Sequence, residues 1–230
     1  MRPGAYTISE TLFLRKHRES YSLYDLDKKL EQYIDFDNGF FIEAGGNNGV
    51  RQSNSLYFEA QRGWRGMLIE AVPALAHECR QYRPHAIVEQ VALATPDQVP
   101  GKVTIHYAGL MSVVASGMAT EAESAEHVRL GCAIQNIQTY DVEVDTATLS
   151  GLLDKHGVGK VDLLSLDVEG FELQALSGLD FERHAPTYIL VEVRYAGVRE
   201  FLERHQYDRI AQLTHHDFLF RLSSQHDAAD

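Results

Sequence analysis

Apolar positions along the chain change rhythm several times, and each change marks an element. Between Ser9 and Asp35, Leu12, Phe13, Leu23, Leu26, Leu30, Tyr33 and Ile34 recur at helical spacing, which predicts one or two helices ahead of the first strand. Phe40-Phe41-Ile42 is a short continuous apolar run that Glu43 closes, the pattern of a buried strand. Ser53 to Arg62 returns to helical spacing, and Gly66 to Glu70 is a second apolar strand ending in an acid. Pro73 suits the first turn of a helix that runs through Tyr82, and Ala86 to Leu93 reads as the third strand.

From Gly101 the pattern changes. Lys102 to Tyr107 alternates like an exposed strand, and Gly109 to Gln135 is rich in Ala, Ser, Gly and Glu, which predicts an insertion with a mobile loop over 108–136. Helical spacing resumes over Thr146 to His156. A fourth strand, Val161 to Leu166, opens on Asp167-Val168-Glu169-Gly170 and is followed by a helix from Phe171 to Leu176. The fifth strand, Tyr188 to Val193, carries Glu192 at its end, and Val198 to His205 is helical. Tyr207 to Leu213 and Asp217 to Leu222 are so close that they pair as a hairpin. Strands alternating with helices predict an α/β fold with a mostly parallel, Rossmann-like sheet and a C-terminal antiparallel hairpin. The expected organisation is one domain over 1–230, with residues 1–36 as a helical lid and 223–230 as a disordered tail.

Composition narrows the partners. The chain has 230 residues, 44% hydrophobic, with a formal net charge of −12. That charge disfavours nucleic acid and anionic membranes, both of which would repel it. Cys79 and Cys132 lack CxxC spacing, which predicts free thiols in a reducing compartment, with a bridge between them left open. Neither a signal-peptide run nor a span-length apolar segment is evident, so the expected location is cytoplasmic. Whether the chain forms a homo-oligomer is open.

The chemistry gathers at predicted strand ends. In an open parallel sheet, ligands bind at the carboxyl ends of the strands, here Glu43, Glu70, Ala92, Asp167 and Glu192. After the first strand, Ala44-Gly45-Gly46-Asn47-Asn48-Gly49 forms a glycine turn whose backbone can approach a ligand. The next helix, opening near Ser53 and Asn54, would aim N–H groups at an anion. Glu70 follows the turn at the spacing of a ribose-binding acid, with Ala71 beside it. A tight turn without a ligand and an ordinary acid at a helix mouth are the plainer readings of the same residues. The turn also nearly satisfies the dinucleotide fingerprint, so an NAD-dependent oxidoreductase and a noncatalytic cofactor-binding protein both stand as alternatives.

Three stretches taken together, Phe41 to Gly49 followed by Ser53-Asn54-Ser55, then Gly63 to Pro73, then Val161 to Glu172, resemble the FkbM family of S-adenosylmethionine-dependent methyltransferases. The resemblance runs in order from about Asp35 to Leu222. It implies a class I, seven-stranded methyltransferase fold, with S-adenosylmethionine over Glu43 to Gly49 and its ribose on Glu70. It also implies methylation of hydroxyl groups on sugars, glycans or secondary metabolites. Gly46 stands where relatives usually have Ala. Ala92, a candidate cofactor contact, stands where many other methyltransferases place an adenine-binding Asp, so adenine recognition is assigned to no particular side chain. Asn48, Ser53 and Asn54 are the side chains expected on the cofactor's carboxylate, with helix capping as the other reading.

Methyl transfer to an alcohol also requires loss of the hydroxyl proton. Asp167 and Glu169 lie two apart, and Glu192 ends the neighbouring strand. The expectation is an acidic cluster that either contains the base or holds a divalent cation such as Mg2+. Orienting the cofactor and loop is its plainer role. If the sixth strand is parallel, its end carries His215 and His216 to the same rim, where a histidine could act as base or touch substrate, with His215 the candidate. The acceptor pocket is expected from the N-terminal helices and the insertion, including Met111 and Ser112.

Overall fold

The computed structural model of the protein describes residues 20–107, 113–114, 129, 139–193 and 197–223. In chain order the strands are β1 Phe40–Ala44, β2 Arg65–Ile69, β3 Ile87–Glu89, β4 Ala92–Leu93, β5 Lys102–Tyr107, β6 Val113–Val114, β7 Tyr140–Ala147, β8 Leu163–Leu166, β9 Tyr188–Glu192, β10 Tyr207–Gln212 and β11 Asp217–Leu222. The helices are α1 Leu26–Glu31, α2 Leu56–Arg62, α3 Pro73–Tyr82, α4 Leu149–His156, α5 Glu172–Ser177, α6 Phe181–His184 and α7 Val198–Arg204.

Seven strands form one sheet in the order β10-β11-β9-β8-β1-β2-β3. β1 pairs in parallel with β2 and β8, and β9 continues in parallel from β8. β11 runs antiparallel between β9 and β10. From β1 the chain steps outward through β2 and β3, then returns to the other flank of β1 as β8. The sheet's switch point therefore lies between β1 and β8, where open α/β sheets hold their ligands.

Strand side chains alternate between two cores. Ile42, Met67, Leu164 and Ile189 enter one face, whereas Phe41, Leu68, Leu163 and Leu190 enter the other. α4, α5 and α7 cover the first face with Leu152, Leu176 and Leu202. α1 and α2 cover the second with Leu30 and Phe58, and Trp64 fills the space beside them. The Trp64 indole N–H donates to the Phe36 carbonyl at 3.0 Å, so the one polar atom of a buried ring is satisfied. From the expected lid, Tyr21, Leu30 and Ile34 sit in this second core, and residues 1–19 lie outside the described residues.

Three element readings need correction. The stretch expected as one third strand is two: β3 stops at Glu89, and β4 leaves for a second sheet of order β4-β7-β5-β6. The expected helix from Thr146 begins at Leu149, because Thr146 and Ala147 pair with Ala92 and Leu93. Thr148 then caps the helix, its hydroxyl accepting from the Gly151 amide at 3.0 Å. β7 has no counterpart in the sequence reading. It pairs antiparallel with all of β5, and Lys102–Glu143 and His106–Asp141 face each other on its outer side. Most of the expected insertion, with Met111, Ser112 and Cys132, lies outside the described residues, as does the tail beyond Ser223.

Candidate active site

Gly45 shows why the first turn must be glycine. Its φ is 84°, and a Cβ there would stand 1.8 Å from the Asp167 carbonyl oxygen. The contact exists because the Asp167 amide donates to the Ala44 carbonyl at 3.1 Å, which draws the loop after β8 onto the turn after β1. Gly46 differs. A Cβ there would meet Leu68 at 3.5 Å, ordinary contact, so the position would accommodate an alanine.

Glu70 closes the turn from the other side. Its two carboxylate oxygens accept from the amides of Asn47 and Val72, each at 2.8 Å. Burial pushes its carboxyl up to about 7, against the opposing pull of the Val72, Asn47 and Ala71 amides.

Beneath the turn, Glu43 accepts from the Ser53 hydroxyl at 2.8 Å, the Asn54 amide at 2.7 Å and the Ser55 hydroxyl at 2.5 Å. Arg83, fully buried, donates to Glu59 at 2.7 Å and to the Gly49 carbonyl at 2.9 Å, and lies 4.0 Å from Glu43. Its guanidinium also reaches the hydroxyls of Ser53 and Ser55. Glycine turn, α2 and α3 are thus pinned to one cation. No sequence pattern marked Arg83, since a lone Arg before Pro84 resembles any helix end.

The turn, Glu70 and the β8 loop enclose a cleft with an empty volume of about 960 Å³, its open mouth included. Glu43, Gly45, Gly46, Asn47, Glu70 and Ala71 line it, as do Asp167 and Glu169. An apolar wall comes from Val72, Leu75, Val91, Ala92, Leu93 and Ile105. Ala92 reaches this wall from β4 rather than from the end of β3. The acid that does end β3, Glu89, is engaged with Lys155 and His156. Burial works against its ionisation, but these two partners hold its carboxyl below the usual range.

Other expected site residues point away. Asn48 is buried, its carbonyl oxygen accepting from the Val50 and Arg51 amides, and Ser53 donates to Glu43; neither side chain lines the cleft. Asn54 donates to the Ser165 hydroxyl at 3.1 Å. Missed by the sequence reading were Arg51 and Gln52, which line the cleft directly after the glycine turn, and Phe171. Three non-glycine residues of the lining, Asn47, Gln52 and Glu169, hold left-handed backbones with φ of 48°, 57° and 52°. Such geometry concentrates at ligand sites.

At the cleft's other end Asp167, Glu169 and Glu192 bring carboxylate oxygens within 4.8 Å of one another. Glu172 fixes the loop between them, accepting from the Val168 and Gly170 amides at 3.2 and 3.0 Å. β10 is parallel to the core, as its pairing through β11 requires, and the hairpin turn does reach this rim. The histidine it delivers is His216, with Nε2 3.4 Å from Glu192 and the same distance from Asp217. His215 stays exposed, its Nε2 2.7 Å from Nδ1 of His216. The Val193 amide, donating to the His216 carbonyl at 2.8 Å, explains the choice, because it extends the β9–β11 ladder through that residue. No described helix is long and apolar enough to cross a membrane.

The chain is similar in sequence to known methyltransferases. Methyltransferase 1 of Beauveria bassiana (strain ARSEF 2860) is 30% identical over 162 residues, covering 64% of this chain and 60% of its own length. The chain thus spans about 60% of that curated relative. Among solved structures, YjhP from E. coli aligns with 65% of this chain and 70% of its own at 12% identity, with a TM-score of 0.25, too low to bear on the argument. The model of the methyltransferase FkbM domain matches residues 43–220, a span that begins at the acid under the glycine turn and ends in the last strand. The chain therefore belongs to the FkbM methyltransferase family.

Proposed function

We propose that the protein transfers the methyl group of S-adenosylmethionine to a hydroxyl oxygen of a sugar, glycan or secondary metabolite. The observation that carries this reading is the meeting of the Gly45 turn, Glu70 and the Asp167 loop around one cleft at the sheet's switch point.

The donor set suits that cofactor. The Glu70 carboxylate accepts from the Asn47 and Val72 amides, one on each oxygen, and its two oxygens have further lone pairs that can take ribose hydroxyls. The wall of Val72, Leu75, Val91 and Leu93 offers an apolar surface to a flat base, and the glycines allow close approach to the backbone. When bound, the cofactor supplies an electrophilic methyl group on a sulfonium sulfur. Asp167 and Glu169 favour its cationic end. The acidic cluster then receives the proton that the acceptor hydroxyl gives up, while the walls hold the two reactants in line. The same three carboxylates form a hard donor set of the kind that holds divalent cations, and activity that survives exhaustive chelation would assign the cluster to protons alone.

The test is transfer of labelled methyl from S-adenosylmethionine to a panel of glycans and hydroxylated metabolites, paired with melting curves. Label in at least one acceptor, with melting raised by S-adenosylhomocysteine and not by NAD, supports the proposal. Stabilisation by NAD alone favours an oxidoreductase, and stabilisation by S-adenosylhomocysteine without transfer to any acceptor favours a binding protein.

A further inference from the structure

The carboxylate of the cofactor's methionine end lacks the partners that sequence reading expected for it. Asn48 caps its own turn, Ser53 donates to Glu43, and Asn54 is tied to Glu43 and Ser165. The cleft is otherwise hostile to a negative group, because Glu43, Glu70, Asp167 and Glu169 all line it. Among the described lining residues one is cationic, the exposed Arg51.

Arg51 is held where a ligand could use it. Its amide donates to Asn48 at 2.9 Å, and the left-handed backbones of Asn47 and Gln52 bracket the turn that presents it. Its guanidinium makes no hydrogen bond or ion pair among the described residues. Arg62, Arg83, Arg183 and Arg199, by contrast, are each paired with an acid. A planar guanidinium can grip a carboxylate through two parallel hydrogen bonds, which an acid-lined cleft cannot otherwise offer.

We propose that Arg51 holds the α-carboxylate of the cofactor's methionine moiety, an assignment that rests on the methyl-transfer reading. The acids of the cleft then take the cationic parts of the same ligand, so the one arginine sets the direction in which the cofactor lies.

Two ligands separate this from a general effect on the turn. S-adenosylhomocysteine carries the carboxylate, whereas 5′-methylthioadenosine keeps the adenosine and sulfur but lacks the amino-acid end. In calorimetric titrations, Arg51→Gln should weaken S-adenosylhomocysteine about tenfold or more, the size of a lost charge-assisted pair. It should leave 5′-methylthioadenosine within about twofold, and Arg51→Lys should recover part of the loss. Equal weakening of both ligands, or of neither, overturns the assignment of Arg51 while leaving methyl transfer intact. Failure of the wild type to bind either ligand overturns the methyl-transfer reading, and this assignment with it.

Discussion

Glu70 links burial, pH and ligand binding in one side chain. Its pKa of about 7 lies above the ordinary carboxylate value of 4.5. The stability contributed by its neutral form is therefore fully present below pH 4.5 and is lost as pH rises through 7. Ribose hydroxyls donate best to the ionised group, so ligand binding runs the other way. The affinity for S-adenosylhomocysteine should rise roughly tenfold between pH 6 and pH 8 and flatten above, a trend that Glu70→Gln should abolish. At the opposite end of the cleft, Asp167→Ala should lower turnover by about 100-fold or more, with binding of S-adenosylhomocysteine reduced far less. Near-normal turnover in that variant would take Asp167 out of the chemistry. The two adjacent glycines make a backbone test. Gly45→Ala must shift the Asp167 carbonyl and strain a left-handed residue, at a cost of about 2 to 5 kcal/mol, whereas Gly46→Ala should change stability by less than about 1 kcal/mol. Thermal or urea unfolding of both variants reads the difference. Residues of this kind were legible because their chemistry is local: a glycine turn, then an acid at a fixed distance. Arg51, Asn48 and Ser53 were not, since nothing in a sequence tells which side of a turn a polar group faces.

Elements were legible where one rhythm ran unbroken. β1, β2, β8 and the terminal hairpin follow short apolar runs bounded by glycine or acid, and the structure returns them within a residue or two. β7 was missed although its signal was present. Tyr140, Val142 and Val144 alternate with Asp141, Glu143 and Asp145, the pattern of a strand with one wet face. The break between β3 and β4 was hidden for a different reason, because both pieces are apolar and only pairing with separate sheets divides them. Arg83 works at this scale, tying the glycine turn to α2 and α3. Removing it takes an ion-pair partner from the mostly buried carboxylate of Glu59 and weakens the hold on Glu43. Arg83→Ala should therefore cost about 3 to 5 kcal/mol in equilibrium unfolding. An additional Glu59→Gln change should recover part of that loss, and a near-neutral Arg83→Ala would show that the turn stands without it.

Across the whole molecule, the order of strands is what makes a site from distant residues. Glu43, Glu70 and Asp167 are far apart in sequence, yet each follows or ends one of the three neighbouring strands β8, β1 and β2, and all three line one cleft. This convergence was foreseeable from strand-end reasoning, and the parallel course of β10, only a condition in the sequence, brings the hairpin turn to the same rim. Which histidine arrives there was not foreseeable, because a shift of one position in the β9–β11 register would exchange His215 for His216. The central claim is that this cleft binds an adenosine-bearing ligand with its ribose on Glu70. Isothermal titration of S-adenosylhomocysteine into the wild type and Glu70→Ala tests it most directly. The account predicts one site per chain in the wild type and at least roughly tenfold weaker binding in a variant that still melts cooperatively. No heat of binding in the wild type, or equal affinity in both proteins, would contradict it.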